Sequence, residues 1–302
     1  MNALYHRGEL EMQEQAGSSA LAADLARTVL PGIAHKFIAF IEAQPLLFMA
    51  AADPQGRAWA SILCGKPGFI QVADEQTLSI ADLPWEGDPL SNALTEECDV
   101  GLLLIEFASR RRLRVNGKGR RHGRTLQVKT RQVYANCPRY IQAREWELAE
   151  NATQDAPGPE WQPGLTPELR QWIEATDTFF IASYHPESGA DLSHRGGFPG
   201  FVKVIDERSL IWPEYNGNGM FNTLGNIVEN PRVGLLFIDF DSRRTMQLTG
   251  TATIVQEEER VAAFPGAERL VAFKLGQALV SSHAGMLRWQ FMNYAPDNPW
   301  YC

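Results

Sequence analysis

The chain has 302 residues, of which 44% are hydrophobic, and a formal net charge of −8. Such a composition is globular and long enough for one large or two ordinary domains; it excludes a disordered or fibrous chain, and the acidic balance argues against general nucleic-acid binding. No apolar run approaches the ~20 residues a membrane helix needs, and Met1 to Leu10 carries charges where a signal peptide needs an apolar core, so a soluble cytoplasmic protein is expected. Cys64, Cys98, Cys137 and Cys302 are far apart and form no Cys-x-x-Cys, which implies reduced thiols and no metal site.

In chain order, Ser18 to Leu30 reads as a helix capped by Ser18 or Ser19, with Leu21, Leu25 and Val29 along one side and Pro31-Gly32 as its stop. Ile33 to Ala43 predicts a second helix. The period then changes to short β-rich runs separated by Asp-Pro, Gly-Lys-Pro-Gly and Asp-Glu, the pattern of an antiparallel all-β unit. Val100 to Phe107, the turn Ser109-Arg110-Arg111 and the run Leu113 to Lys118 predict a hairpin. Arg110, Arg111, Arg112, Arg114, Lys118, Arg120, Arg121 and Arg124 crowd it. A basic run of this kind is usually a solvated face, but arginines on one unit also suit an anion seated on a neighbouring one. Asn151 to Pro167, rich in Pro and Gly, reads as a linker, and Thr166-Pro167-Glu168 as the cap of the next helix.

Beyond the linker the pattern repeats. A shift of 132 residues superposes Ile41-Glu42-Ala43 on Ile173-Glu174-Ala175 and Pro67-Gly68-Phe69 on Pro199-Gly200-Phe201. One inserted residue later, Val100 to Phe107 lies on Val233 to Phe240 and Ser109-Arg110-Arg111 on Ser242-Arg243-Arg244. Roughly one position in three is identical, which indicates tandem duplication of one unit. Hairpins at this spacing predict small barrels. The expected division is residues 1–150 (helices plus a degenerate barrel), a linker over 151–167, and a second barrel over 168–302.

The stretch Trp212 to Pro231 carries the candidate site. Asn216, Gly217, Asn218 and Gly219 form a turn-prone loop that opens a predicted helix with Phe221, Leu224, Ile227 and Val228 on one face and Asn230-Pro231 as its stop. A helix starting in such a loop offers free N–H groups to a phosphate. The first copy has Asp82, Glu86 and Asp88 in this region, and Asp88 predicts a self-capped start that repels phosphate. Likewise Ser193-His194-Arg195 in the second copy replaces Ser61-Ile62-Leu63 in the first. Chemistry is therefore expected in the second copy, with Tyr215 and Trp212 as candidate walls.

These segments, Ser193 to Leu210, Glu214 to Phe240 and Asn136 to Gln142, resemble the pyridoxamine 5'-phosphate oxidase-like flavin-binding split barrels. The resemblance implies a mainly β fold with flanking helices: two tandem split antiparallel β-barrels, forming an intramolecular version of the family's dimer, as a monomer or homodimer. It implies FMN as cofactor, contacted by Ser193, His194, Arg195, Tyr215, Asn216, Asn218, Asn222 and Thr223, and by Arg112 from the opposite barrel. It further implies an oxidoreductase acting on a small substrate with NAD(P)H or oxygen as the other partner. A non-enzymatic flavin- or haem-binding module is the alternative. The oxidase proper has Arg and Lys at the positions of Asn222 and Thr223 and an Arg-x-His near its C-terminus, whereas this chain reads Leu287-Arg288-Trp289-Gln290 there, which argues against vitamin B6 oxidation.

Overall fold

The computed structural model describes residues 4–149, 158–282 and 287–300. Three helices lead the chain: α1 (Arg7–Gln15), α2 (Ser19–Ala26) and α3 (His35–Glu42). Strands β1 (Leu46–Ala52), β2 (Ala58–Cys64), β3 (Ile70–Asp74), β4 (Thr77–Ile80), β5 (Cys98–Glu106), β6 (Arg111–His122) and β7 (Thr125–Ala135) form the first barrel. After β8 (Ala143–Leu148), β9 (Glu160–Gln162) and α4 (Pro167–Ala175) come the strands of the second: β10 (Thr178–His185), β11 (Gly189–Gly196), β12 (Lys203–Asp206) and β13 (Ser209–Glu214). Helix α5 (Asn222–Glu229), β14 (Arg232–Asp239), β15 (Arg244–Val255), α6 (Glu258–Ala262), β16 (Arg269–Ser281) and β17 (Leu287–Asn293) complete the chain.

The two sheets have one topology. The first runs β2-β1-β5-β6-β7-β4-β3 and the second β11-β10-β14-β15-β16-β13-β12, the same order element for element. Both copies carry a bulge at the same place, Asn116/Gly117 and Thr249/Gly250. Both Ser-Arg-Arg turns put the first arginine in the left-handed region, Arg110 at φ 57° and Arg243 at φ 58°. The fold is thus mainly β, two split antiparallel barrels in tandem.

Each barrel has its own core, around Trp59 and Leu102 in the first and Trp212 and Phe237 in the second. A third core lies between them, where Phe48, Ile105 and Phe107 meet Phe180, Leu236 and Ile238. Glycine permits this approach. A Cβ on Gly101 would lie 2.7 Å from the Ala190 carbonyl, and one on its counterpart Gly234 would lie 2.6 Å from that of Ala58.

Several expectations need correction. Residues 18–30 hold only the short α2, and Ser18 gives no side-chain cap, its hydroxyl donating instead to the Gly219 carbonyl at 3.2 Å. Helix α1 was not anticipated; His6 caps it and Glu9 closes a capping box. No α-helix follows Asp88, only a 3-10 turn at Ala93–Thr95. Val228 is 38% exposed, while Leu224 and Ile227 are buried. Of the expected linker, residues 151–157 lie outside the described residues, and Glu160–Gln162 pairs with β16. Cys98 and Cys137 are free thiols; Cys302 lies outside the described residues. Among the described residues no helix is long and apolar enough to cross a membrane.

Candidate functional site

A cleft open to solvent lies between the barrels. Its floor comes from β5 and β6 of the first barrel and β11 of the second, and its rim from the loop before α5 and the segment after β7. Strand alternation explains the pairing of Arg112 and Arg114: residues two apart share a face, and both line the cleft. The opposite position in the second copy is Gln247, which enters the equivalent place in the first barrel.

At one end of the cleft a buried polar network surrounds the start of α5. Arg114 donates to Asp191 at 2.8 Å, to Tyr134 at 3.1 Å and to Ser193, whose hydroxyl also accepts from Thr223 at 2.8 Å. Helix α5 begins abruptly, with Phe221 in the left-handed region (φ 60°) and stacked under Arg269 at 4.9 Å. Its first N–H groups lack intrahelical partners, as in any helix, and Phe221 supplies no side-chain cap. The start is flanked, however. Glu9 of α1 accepts from the Asn222 side chain at 2.6 Å, and burial lifts its carboxyl to about 7.

The middle of the cleft holds unpaired polar nitrogens. Among the described residues, Arg112 Nε, both ring nitrogens of His194 and Asn136 Nδ2 are buried without a hydrogen-bond partner. Burial, then the nearby Arg114, push the Arg112 guanidinium down to about 9. Burial, together with Arg112, Arg195 and Arg144, holds the His194 imidazole well below its ordinary value, so it is neutral at physiological pH. Unpaired buried donors cost about 1–3 kcal/mol each, so this arrangement is suited to a ligand rich in acceptor oxygens. Five arginines, at 112, 114, 139, 195 and 269, face the cleft against the single carboxylate of Glu214.

Ser193, His194, Arg195, Tyr215, Asn218, Asn222, Thr223 and Arg112 all line this cleft. Asn216 does not; it sits behind the rim, accepting from Arg139 at 2.7 Å and donating to Glu268 at 2.8 Å. The Arg195 guanidinium is held by Glu214 at 2.6 Å, which limits what it can offer a ligand. Trp212 is a core residue, fully buried, its indole N–H donating to Glu214 at 3.1 Å. Arg114, Asn136, Arg139, Tyr140 and Arg269 are additional lining residues. The same-face spacing of Arg114 with Arg112 was a usable signal; Arg269 reaches the cleft only through its pairing with Glu214 across β13 and β16.

In the first barrel the equivalent position is taken by the chain's own Asp88. Asp88 is buried, accepting from Ser61 at 2.7 Å, from the Leu90 N–H at 2.8 Å and from Gln247 at 3.1 Å. Burial raises its carboxyl to about 6.

Fold and cleft together define a class: a duplicated split barrel with a polar cleft between its halves. Residues 165–287 match the family model described as Pyridoxamine 5'-phosphate oxidase. That match spans the second barrel and its helix α4. Solved structures similar to the chain include HupZ of Group A Streptococcus (16% identity, 37% of this chain and 90% of that one, TM-score 0.31). Another is a Clostridium acetobutylicum protein related to general stress protein 26, of the pyridoxinephosphate oxidase family (10% identity, 41% and 92%, TM-score 0.31). A third is an FMN-binding protein of Syntrophomonas wolfei (14% identity, 37% and 84%, TM-score 0.28). No curated protein matches the chain significantly.

Proposed function

We propose that the inter-barrel cleft binds FMN and that the chain is a flavin-dependent oxidoreductase acting on a small substrate, with NAD(P)H or oxygen as the other partner. The same reading takes residues 1–150 and 168–302 as the two halves of an intramolecular pseudo-dimer. The observation that carries it is the set of buried donors without a partner among the described residues, Arg112 Nε, the single N–H of the neutral His194 ring and Asn136 Nδ2, in a cleft lined by five arginines. A flavin phosphate, ribityl chain and ring carbonyls present acceptors of the matching kind.

Ser193, Thr223, Arg114 and the first N–H groups of α5 would hold the phosphate, while Arg112, His194 and Asn136 would donate to other oxygen acceptors. When bound, the flavin supplies the electron chemistry, and the protein supplies orientation and a shaped opening. Neutral His194 is a hydrogen-bond partner in this arrangement rather than a proton source. Tyr140 and Tyr215, with ring centroids 5.1 Å apart, wall the open side. The neutral Asn222 and Thr223 favour a substrate other than vitamin B6.

The test is to purify the full chain and record its spectrum. Yellow protein with absorbance near ~450 nm and FMN released on denaturation is expected. Colourless protein that takes up no FMN on titration would overturn the reading, and a Soret band in its place would favour the haem-binding module.

A further inference from the structure

A second cavity, apart from the inter-barrel cleft, lies between the C-terminal end of α4, the β14–β15 turn and the ribbon formed by β8 and β17. It is open to solvent, with a cavity volume of about 360 Å³. We propose that it is a binding site for an uncharged planar aromatic molecule bearing a carbonyl oxygen.

The polar anchor is Arg144 on β8, 7% exposed. Its Nη2 donates to both carboxylate oxygens of Asp177, at 2.8 and 2.6 Å, and its guanidinium lies over the rings of Phe240 (4.1 Å) and Phe291 (5.5 Å). Nη1 of the same group is buried and, among the described residues, has no partner. A buried charged donor left unmade is more costly than a neutral one, so the position is built for an acceptor oxygen that none of the described residues provides.

Charge decides which kind of oxygen. Asp177 already neutralises Arg144, and Arg244 at the rim is offset by Glu168 at 2.9 Å and Asp239 at 3.8 Å. Asp241 adds a further exposed negative charge to the lining. A carboxylate or phosphate would meet this excess of acid, whereas a carbonyl oxygen accepts from Nη1 without bringing charge.

The walls decide the rest of the ligand. Trp172, Phe240, Trp289 and Phe291 line the cavity. Trp289 is fixed edge-on against Phe107 (5.3 Å) and Phe240 (5.4 Å), and Trp172 lies beneath Arg244 at 5.0 Å. Immobilised aromatic walls with one or two convergent polar groups are the usual make-up of a small-molecule site, and flat rings favour a flat partner.

Benzamide is the probe, with benzoate and cyclohexanecarboxamide as controls, followed on the full chain by saturation-transfer NMR and tryptophan fluorescence. Benzamide should bind more tightly than either control. Affinity should fall about tenfold in Arg144→Met/Asp177→Asn, which removes both charges together. It should be unchanged in Arg112→Ala, which alters the other cleft. If the double variant does not fold, Trp289→Leu carries the same comparison and should also weaken benzamide. Absence of benzamide binding to the parent, equal affinity for benzoate, or an affinity that Arg112→Ala lowers and the cavity variants leave alone would each overturn the proposal.

Discussion

Phe48 and Phe180 stack on one another with ring centroids 3.8 Å apart and planes 22° from parallel. They are the same residue in the two copies of the repeat, each in the first strand of its barrel and opposite a leucine of the next, Leu103 and Leu236. Two equivalent residues can touch in this way only where a local twofold relation passes between them. The interface core around the pair is therefore arranged about that local twofold.

That interface depends on close backbone approach, so Gly234→Ala should destabilise the chain. The added Cβ would lie 2.6 Å from the Ala58 carbonyl and 2.7 Å from the Trp59 Cα, both backbone atoms that cannot step aside cheaply. Overpacking of this kind costs about 1–3 kcal/mol. Gly158, with none of the described residues within 4 Å of its added Cβ, supplies the control, and its alanine variant should stay within about 0.5 kcal/mol of the parent. Equal denaturation midpoints for the two variants would show that the barrels are not held at this contact.

Arg112 and Arg114 lie two residues apart on β6 yet should respond oppositely to truncation. Arg112→Ala removes a guanidinium whose buried Nε has no partner among the described residues, so stability without ligand should hold or rise, while FMN affinity falls about ten- to a hundredfold for one lost charge-assisted hydrogen bond. Arg114→Ala strands Asp191, a buried partner at 2.8 Å, and should cost about 3–5 kcal/mol of stability. Thermal denaturation and flavin titration of both variants separate the two roles. If both simply unfold the protein, Arg112 is structural.

The duplication was legible because turn residues and apolar strands recur in fixed order, and the expectation of two similar barrels followed from it. Hairpin alternation also made Arg114 a readable companion of Arg112. What the sequence did not show was tertiary. Glu9 meets Asn222 across 213 positions, and Arg269 reaches the cleft only through the register of β13 with β16. Helix α1 escaped notice because its cap is a histidine, His6, a residue type outside the usual Ser, Thr, Asp and Asn set. The basic run misled in part for a related reason: its spacing says that arginines share a face, and only packing says that Arg114 is buried while Arg120 and Arg121 are exposed.

One flavin per chain is expected, not two. In the first barrel Asp88 occupies the position equivalent to the start of α5, bonded to Ser61, the Leu90 N–H and Gln247. A phosphate there would meet a buried carboxyl with its donors already engaged, and Leu63 and Ile62 replace Arg195 and His194. Titration to saturation should give a single equivalent; a second equivalent of comparable affinity would mean that the Asp88 seal opens.

Helix α1 ties its own stability to pH through Glu9. Its carboxyl, raised by burial to about 7 in the folded chain against about 4.3 when unfolded, takes up a proton on folding anywhere between those values. The stabilisation from that proton is fully present below about pH 4.3 and is lost as pH rises through about 7. His6 works the other way. Its imidazole is lowered by burial and by the stacked His185 at 4.0 Å, so its contribution is present above its unfolded value of about 6.5 and is lost as pH falls through the lower folded one. Glu9→Gln removes the first linkage and leaves the second. The urea midpoint of the parent, measured relative to that of the variant, should therefore fall between about pH 5 and about pH 8. Parallel profiles across that range would show that Glu9 titrates as an ordinary carboxylate and that α1 docks independently of its charge.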